Sequence, residues 1–500
     1  MANQKNKPNI LMIITDHQAF YNHNRPGTFE IEYPRYKKFI SEGVCFNNAY
    51  SVCPICTPAR ASIMTGLYPS KHGIVWNPNQ NYFGNLLDFR SGQQLYSHHL
   101  SKAGYRNAYI GKWHCGHERI PIDYGIEGWS LPDYGKVYMS DEYHKYAAQK
   151  GLGDARAYIE HFSRIPEWEG QILTLHDPSE WAFMGGGCGI LQGPPEVHED
   201  NFVAHLTVEK LRELAAANQP WSLVASFWGP HEPYFPSEPY ASMINPSSIP
   251  EYPSFHDNLE GRPVRYLIHR DYHYPDVKKW NKDWSVWQDI LAKCYGQALQ
   301  NDAAIGSILD ALEELGLYNN TIVLWCADHG DGIASHGGLW DKGSTFTEEV
   351  ARIPMAIRWP DRFKESRKIE KFVSNMDFTA TMLKAAGLDV PEDMDGRSLI
   401  PLCENKDIDW PDQLICEHNG HYQNILQRII MYDKYKYVAA LYDADELYDL
   451  KEDPYEMKNL INSSHYKAVK EELRMRLIRH IEQNNDHRAD YLADALKNGF

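Results

Sequence analysis

Residues 302–329 read DAAIGSILDALEELGLYNNTIVLWCADH, and this stretch decides the fold. Ile305, Ile308, Leu309, Leu312 and Leu315 recur at helical spacing along one stripe. Gly316 follows as a residue able to close the helix in the left-handed conformation. The spacing predicts a helix over 302–315. After a short turn comes Ile322–Cys326, a continuous apolar run rich in β-formers, the pattern of a strand buried on both faces. A helix leading into a buried strand is the repeating unit of a parallel sheet covered by helices. The run ends in Asp328-His329.

Three other apolar runs end in residues that can do chemistry. Ile10–Ile14 leads to Asp16, Asn107–Ile110 to Gly111-Lys112-Trp113-His114, and Leu223–Phe227 to Pro230-His231. Ligands of open α/β sheets bind beyond the carboxyl ends of the strands, so parallel packing of these runs would gather the four groups in one cleft. Further helices are expected near Asn201–Ala217 and at Asp377–Ala386, the second stopped by Gly387. The rest of 184–288, rich in Gly, Pro and aromatics, reads as loops and insertions. After Leu402 the character changes to short antiparallel strands (Leu414–Cys416, Arg428–Tyr432, Lys436–Leu441) and a closing helix around Tyr466–Gln483. The expectation is an α/β domain over 1–402, with a large, mostly parallel central sheet sandwiched by helices, and a smaller α+β domain over 403–500.

Fifty basic against 67 acidic residues give a formal charge of −17, which disfavours nucleic acid, anionic membranes and long polyanions as partners. No apolar stretch approaches the ~20 residues of a membrane span, and the start lacks a signal core, so a cytoplasmic protein is expected. Nine cysteines, an odd number scattered along the chain, fit reduced thiols better than a disulfide framework. The 14 Trp and 32 Tyr suit either core packing or surfaces that stack on carbohydrate.

The segment Cys53-Pro54-Ile55-Cys56-Thr57-Pro58-Ala59-Arg60 holds two competing patterns. Cys53 and Cys56 form a C-x-x-C, but no second such pair exists to complete a four-cysteine zinc site. The other pattern is Cys56-x-Pro58-x-Arg60. Pro58 suits the first turn of a helix, which puts Cys56 at a helix start where free N–H groups favour an anion. Arg60 adds a fixed positive charge.

Cys56-Thr57-Pro58-Ala59-Arg60 resembles the C-x-P-x-R signature of sulfatases of the alkaline-phosphatase superfamily. The continuation ASIMTGLYPSKHG, then Gly111-Lys112-Trp113-His114, Asp328-His329-Gly330, Asp395-Gly396-Arg397-Ser398-Leu399 and Glu446-Leu447-Tyr448-Asp449-Leu450, extend the resemblance over most of the chain. It implies an alkaline-phosphatase-like fold and oxidation of Cys56 to formylglycine by a maturation enzyme, with the hydrated aldehyde supplying the attacking oxygen. It also implies one divalent metal held by Asp16, Asp328, His329 and the modified residue 56. Lys112 and His114 would contact residue 56, with His114 as the base that breaks down the sulfated intermediate. His231 and Lys342 would contact the sulfate and the leaving oxygen. His336 matches a further shared position.

The sequence departs from the family in one place: many sulfatases carry two consecutive acids after the first strand, and here the order is Asp16-His17-Gln18. Either His17 ligates through nitrogen, or it points away and Gln18 fills in. Ca²⁺ is the first choice of metal, with Mn²⁺ or Mg²⁺ as alternatives, since imidazole ligands shift the preference towards transition metals. A phosphonate monoester or phosphodiester hydrolase of the same superfamily is the nearest rival. A binding protein with unmodified Cys56 is a third reading. For substrate, a mono- or oligosaccharide carrying few sulfates is expected. Asn77 and His421 are candidate contacts, within loops that also offer Trp76, Asn79, Gln80, Tyr234, Phe235, Glu417, His418 and Asn419.

Overall fold

The computed structural model describes residues 7–20, 28–80, 85–163, 165–177, 186–217, 219–273 and 283–498. Its strands are β1 (Asn9–Thr15), β2 (Val44–Tyr50), β3 (Arg106–Gly111), β4 (Glu127–Trp129), β5 (Arg156–Phe162), β6 (Ile172–Thr174), β7 (Gly187–Leu191), β8 (Trp221–Ser226), β9 (Thr321–Ala327), β10 (Met355–Arg358), β11 (Arg367–Ser374), β12 (Gln413–His418), β13 (Gln427–Tyr432), β14 (Tyr435–Ala440) and β15 (Glu446–Asp449). Eight of them form the central sheet in the order β11-β2-β10-β9-β1-β8-β3-β4. Only β10 runs antiparallel to its neighbours; the other pairs are parallel. The expected architecture is the one observed.

The four apolar runs are the four adjacent strands β9, β1, β8 and β3. Along β1 every side chain is buried, because the sheet is covered on both faces. Leu11 and Ile13 join Leu223, Val323 and Trp325 in one core, while Ile10, Met12 and Ile14 join Val224, Ile322 and Leu324 in the other. The register sets Thr15 beside Ala327, Ile14 beside Ser226, and Ser226 beside Gly111. All four carboxyl ends therefore open on the same edge.

The helix expected at 302–315 is the second half of a longer one, Trp284–Glu314. Its first half is buried nearly all round, from Ile290 through Gln300, so no polar stripe marks it as helical. The reading of 184–288 as loops also needs correcting, because β7 lies there and pairs with β5 and β6 in a separate three-stranded sheet. Residues 184 and 185 lie outside the described residues. Near the C-terminus, β12–β15 form a four-stranded antiparallel sheet packed against helix Lys467–Gln483 and a further helix, Asp490–Asn498. Among the described residues no helix is long and apolar enough to cross a membrane.

Candidate active site

Cys56 opens the helix Cys56–Thr65 and is buried. Ile55 caps this helix without a side-chain hydrogen bond, and the buried amide of Thr57 donates instead to Asn77 Oδ1 at 3.1 Å. Asn77, expected at the substrate, is thus used at the helix start. Burial alone would raise the Cys56 thiol, but Lys342, His329 and Lys112, in that order, hold it well below its ordinary value.

The strand ends close around it. Asp16 and His17 follow β1, and Asp328 and His329 follow β9, all four buried. His329 Nε2 lies 3.1 Å from Cys56 Sγ and about equally far from Asp16 Oδ1 (3.7 Å) and Asp328 Oδ1 (3.8 Å). Its Nδ1 faces the Gly330 carbonyl at 2.8 Å. That bond has Nδ1 donating and turns Nε2 towards Cys56 Sγ and the two carboxylates. Gln18 accepts a hydrogen bond from Thr15 Oγ1 at 2.7 Å.

Arg60 reaches past Cys56 to the sheet edge. Nε donates to Asp328 Oδ2 at 2.8 Å, Nη1 to the Lys112 carbonyl and Ser226 Oγ, and Nη2 stands 3.6 Å from Asp16 Oδ2. Its charge is spent on the two carboxylates. Lys112 contacts Asp16 Oδ2 and lies 3.9 Å above the Tyr134 ring. Burial would raise Asp16, yet Lys112, His231 and Arg60 hold it below the usual range; Asp328 is raised, first by burial and then by Asp16 beside it.

These residues fit a divalent cation. Two buried carboxylates, the His329 imidazole and Cys56 Sγ bring ligand atoms within 4.8 Å of one another. Asp16 Oδ1, fully buried, has no hydrogen-bond partner among the described residues. Asp16, His17, Cys56 and His231 make a second, overlapping group. A third group, His336, Glu349 and Glu456, lies within a different network. There His336 Nδ1 meets Arg262 at 2.8 Å, and Lys436 already supplies the cation beside Glu456 and Glu348.

His114 and His231 border Tyr134, with ring centroids 5.7 and 5.3 Å away. Burial lowers both imidazoles, His231 to about 4. His231 Nδ1 donates to the Glu232 carbonyl at 2.7 Å. Lys342 Nζ lies 2.7 Å from both Asp341 Oδ1 and His17 Nε2. From the C-terminal sheet, His421 brings Nε2 to 3.3 Å from Asp341 Oδ2, and its Nδ1 pairs with Gln80. Burial lowers His421 to about 4.

Of the other loop residues named from sequence, Trp76 Nε1 donates to the Asn419 carbonyl, Glu417 accepts from Ser70, and Tyr234 Oη donates to Asp331. They tie segments together. Sequence reasoning missed Asp331, Asp341 and Tyr134. Asp331 closes Asp-His-Gly-Asp and Asp341 opens Asp-Lys-Gly-Ser, but no spacing gives either acid a role, and nothing marks Tyr134.

A buried cysteine at a helix start faces paired carboxylates at the ends of parallel strands, within an alkaline-phosphatase-like fold. The profile described as Sulfatase matches residues 8–388, and that described as N-sulphoglucosamine sulphohydrolase, C-terminal, matches residues 335–483. The chain belongs to the sulfatase family, a family of sulfuric ester hydrolases. It is 28% identical to an arylsulfatase of Clostridium perfringens over 97% of this chain and 96% of that protein. Among solved structures, it resembles one in complex with its substrate D-glucosamine-2-N,6-O-disulfate. That likeness has a TM-score of 0.71 at 22% identity, covering 96% of this chain and 98% of the other. A phosphonate monoester hydrolase from Silicibacter pomeroyi shares the fold with a TM-score of 0.76 at 20% identity, over 97% of each chain.

Proposed function

We propose that the protein hydrolyses sulfate monoesters of a mono- or oligosaccharide, using residue 56 after oxidation of the cysteine to formylglycine. The observation that carries this reading is the convergence on Cys56 of paired carboxylates, two lysines and four imidazoles, all but Lys342 from strand ends. Formylglycine, made by a maturation enzyme, would supply the nucleophilic oxygen, and a divalent cation, Ca²⁺ first and Mn²⁺ or Mg²⁺ otherwise, would offset charge on the ester oxygens. Asp16, Asp328 and His329, with residue 56, would hold the cation, and Arg60 fixes the two carboxylates from behind. Lys112 and Lys342 bring positive charge to where a sulfate would sit. His114 is assigned to move the proton of residue 56, and His231 and Lys342 to face the leaving oxygen.

A saccharide needs polar contacts beside an apolar platform. His421 offers the first, and the half-exposed Tyr422, 4.1 Å from His421 between ring centroids, offers the second. The structure with bound glucosamine disulfate supports this substrate class by similarity of fold. With the domain boundary taken at residue 402, the substrate would touch both domains. The overall charge of −17 supports a lightly sulfated substrate met inside the cell over a dense polyanion.

The phosphonate monoester reading keeps one specific support, the single acid in Asp16-His17 after the first strand. Mass spectrometry of the tryptic peptide containing residue 56 tests the nucleophile. Conversion of thiol to aldehyde exchanges sulfur for oxygen and removes two hydrogens, so the peptide becomes lighter. An unshifted peptide in active protein contradicts the assignment and supports a protein with unmodified Cys56. Sulfate release from sulfated mono- and disaccharides, compared with p-nitrophenyl sulfate and choline sulfate, tests the substrate class. The carbohydrate reading fails if no sugar exceeds the aryl ester in kcat/KM.

A further inference from the structure

We infer that His17 is a positioning residue and not a metal ligand: with Asp331 and Asp341 it holds the Lys342 ammonium and the His231 ring as one unit. His17 occupies the place after Asp16 where the family often carries a second acid, and its φ of +59° lies in the left-handed region, which a non-glycine residue adopts at a cost. Charged groups face both ring nitrogens. Nε2 is 2.7 Å from Lys342 Nζ and 3.1 Å from Asp341 Oδ1, and Nδ1 is 3.5 Å from Asp331 Oδ2. Both ring nitrogens are thus engaged by Lys342, Asp341 and Asp331, although His17 lies within ligand range of Asp16 and Cys56. The ring face packs on His231 with centroids 3.9 Å apart, so one side chain fixes both groups assigned to the ester.

Neither acid belongs to the two ligand groups around Cys56: Asp341 meets Lys342 directly, and Asp331 meets His17. Asp341 Oδ1 holds Nζ at 2.7 Å while its Oδ2 faces His421, and Tyr234 Oη holds Asp331. The acid absent after Asp16 is thus matched by two acids around an imidazole. Removing that imidazole leaves Lys342 with Asp341 but without its second anchor, and a displacement of about 1 Å at a reacting centre costs on the order of 100-fold in rate.

The inference rests on the sulfate-ester reading of the cleft, and its test separates the two. Full-length wild type and the variants His17→Ala, His17→Gln, Lys342→Ala and His17→Ala/Lys342→Ala are dialysed against Ca²⁺, and metal per chain is measured by mass spectrometry. Kinetics follow on p-nitrophenyl sulfate. His17→Ala is expected to keep its metal and lose about 100-fold in kcat/KM. His17→Gln, whose amide oxygen can accept from Nζ, recovers about tenfold of that loss, and His17→Ala costs about tenfold less once Lys342 is gone, the remainder being the contact with His231. Metal loss in step with activity, or an undiminished cost in the Lys342→Ala background, overturns the inference. Wild type inactive on every sulfate ester would sink the substrate reading alone. In that event the metal measurement still decides ligation, and calorimetry with inorganic sulfate reads the coupling.

Discussion

At the scale of residues, the Cys53–Cys56 pair is resolved by environment. Cys56 faces Lys342, His329 and Lys112, whereas burial pushes the Cys53 thiol well above its ordinary value. Cys56→Ala is therefore expected to abolish aryl sulfate turnover while leaving the thermal midpoint within a few degrees of wild type. Cys53→Ala should keep at least about a tenth of the activity, because no step runs through it. A dead Cys53 variant beside an active Cys56 variant would assign the motif to the wrong cysteine. Most of the site was legible in the sequence because its members end apolar runs or sit in short motifs. Asp341 and Asp331 were not, since one acid in a loop carries no pattern and its role exists only through His17 and Lys342. Arg60 was read as a charge beside Cys56; the sequence could not show that its long side chain carries that charge on to Asp328.

At the scale of elements, the helix that carries Cys56 depends on two neighbours. Asn77 Oδ1 accepts from the Thr57 amide, so Asn77→Ala should lower stability by about 1 kcal/mol in a urea melt, the usual cost of a lost cap. Unchanged stability with a raised KM for a saccharide would instead place Asn77 at the substrate. His72, buried, pairs through Nε2 with Ser62 Oγ at 3.0 Å, and burial lowers it to about 3. The folded protein thus holds His72 neutral while the unfolded chain takes a proton below about 6.5. Its contribution is present above that pH and is lost as the pH falls from about 6.5 towards 3. Relative to His72→Gln, wild type should give up about 2 kcal/mol between pH 7.5 and 5, measured by paired melts at the two pH values. A gap that stays constant with pH contradicts the assignment. Strands β1, β3, β8 and β9 were legible because each is short, β-rich and ended by a polar group. The first half of helix Trp284–Glu314 was not, because a helix buried all round has no amphipathic period to read.

At the scale of the whole molecule, the C-terminal sheet is tied to the catalytic part by buried charge. Arg265 donates to Asp443 Oδ2 at 3.0 Å and pairs with Glu446, all largely buried. Arg265→Ala leaves those carboxylates uncompensated and should cost about 3–5 kcal/mol by thermal or chemical melting. The half-exposed Arg106–Glu213 pair should cost no more than about 1 kcal/mol. Equal losses would show that burial does not set the difference. The antiparallel character of residues 413–449 was legible from short β-rich runs, whereas this bonding across the junction depends on pairs about 180 positions apart. The central claim, that the cleft is built for sulfate monoesters, is tested most directly by one competition. kcat/KM is measured on a single purified sample for a p-nitrophenyl sulfate and a p-nitrophenyl phosphonate monoester, so that the leaving group is held constant. Lys112, His114 and Lys342 around residue 56 predict the higher value for the sulfate. A higher value for the phosphonate would contradict the account and assign the site to phosphonate monoester hydrolysis.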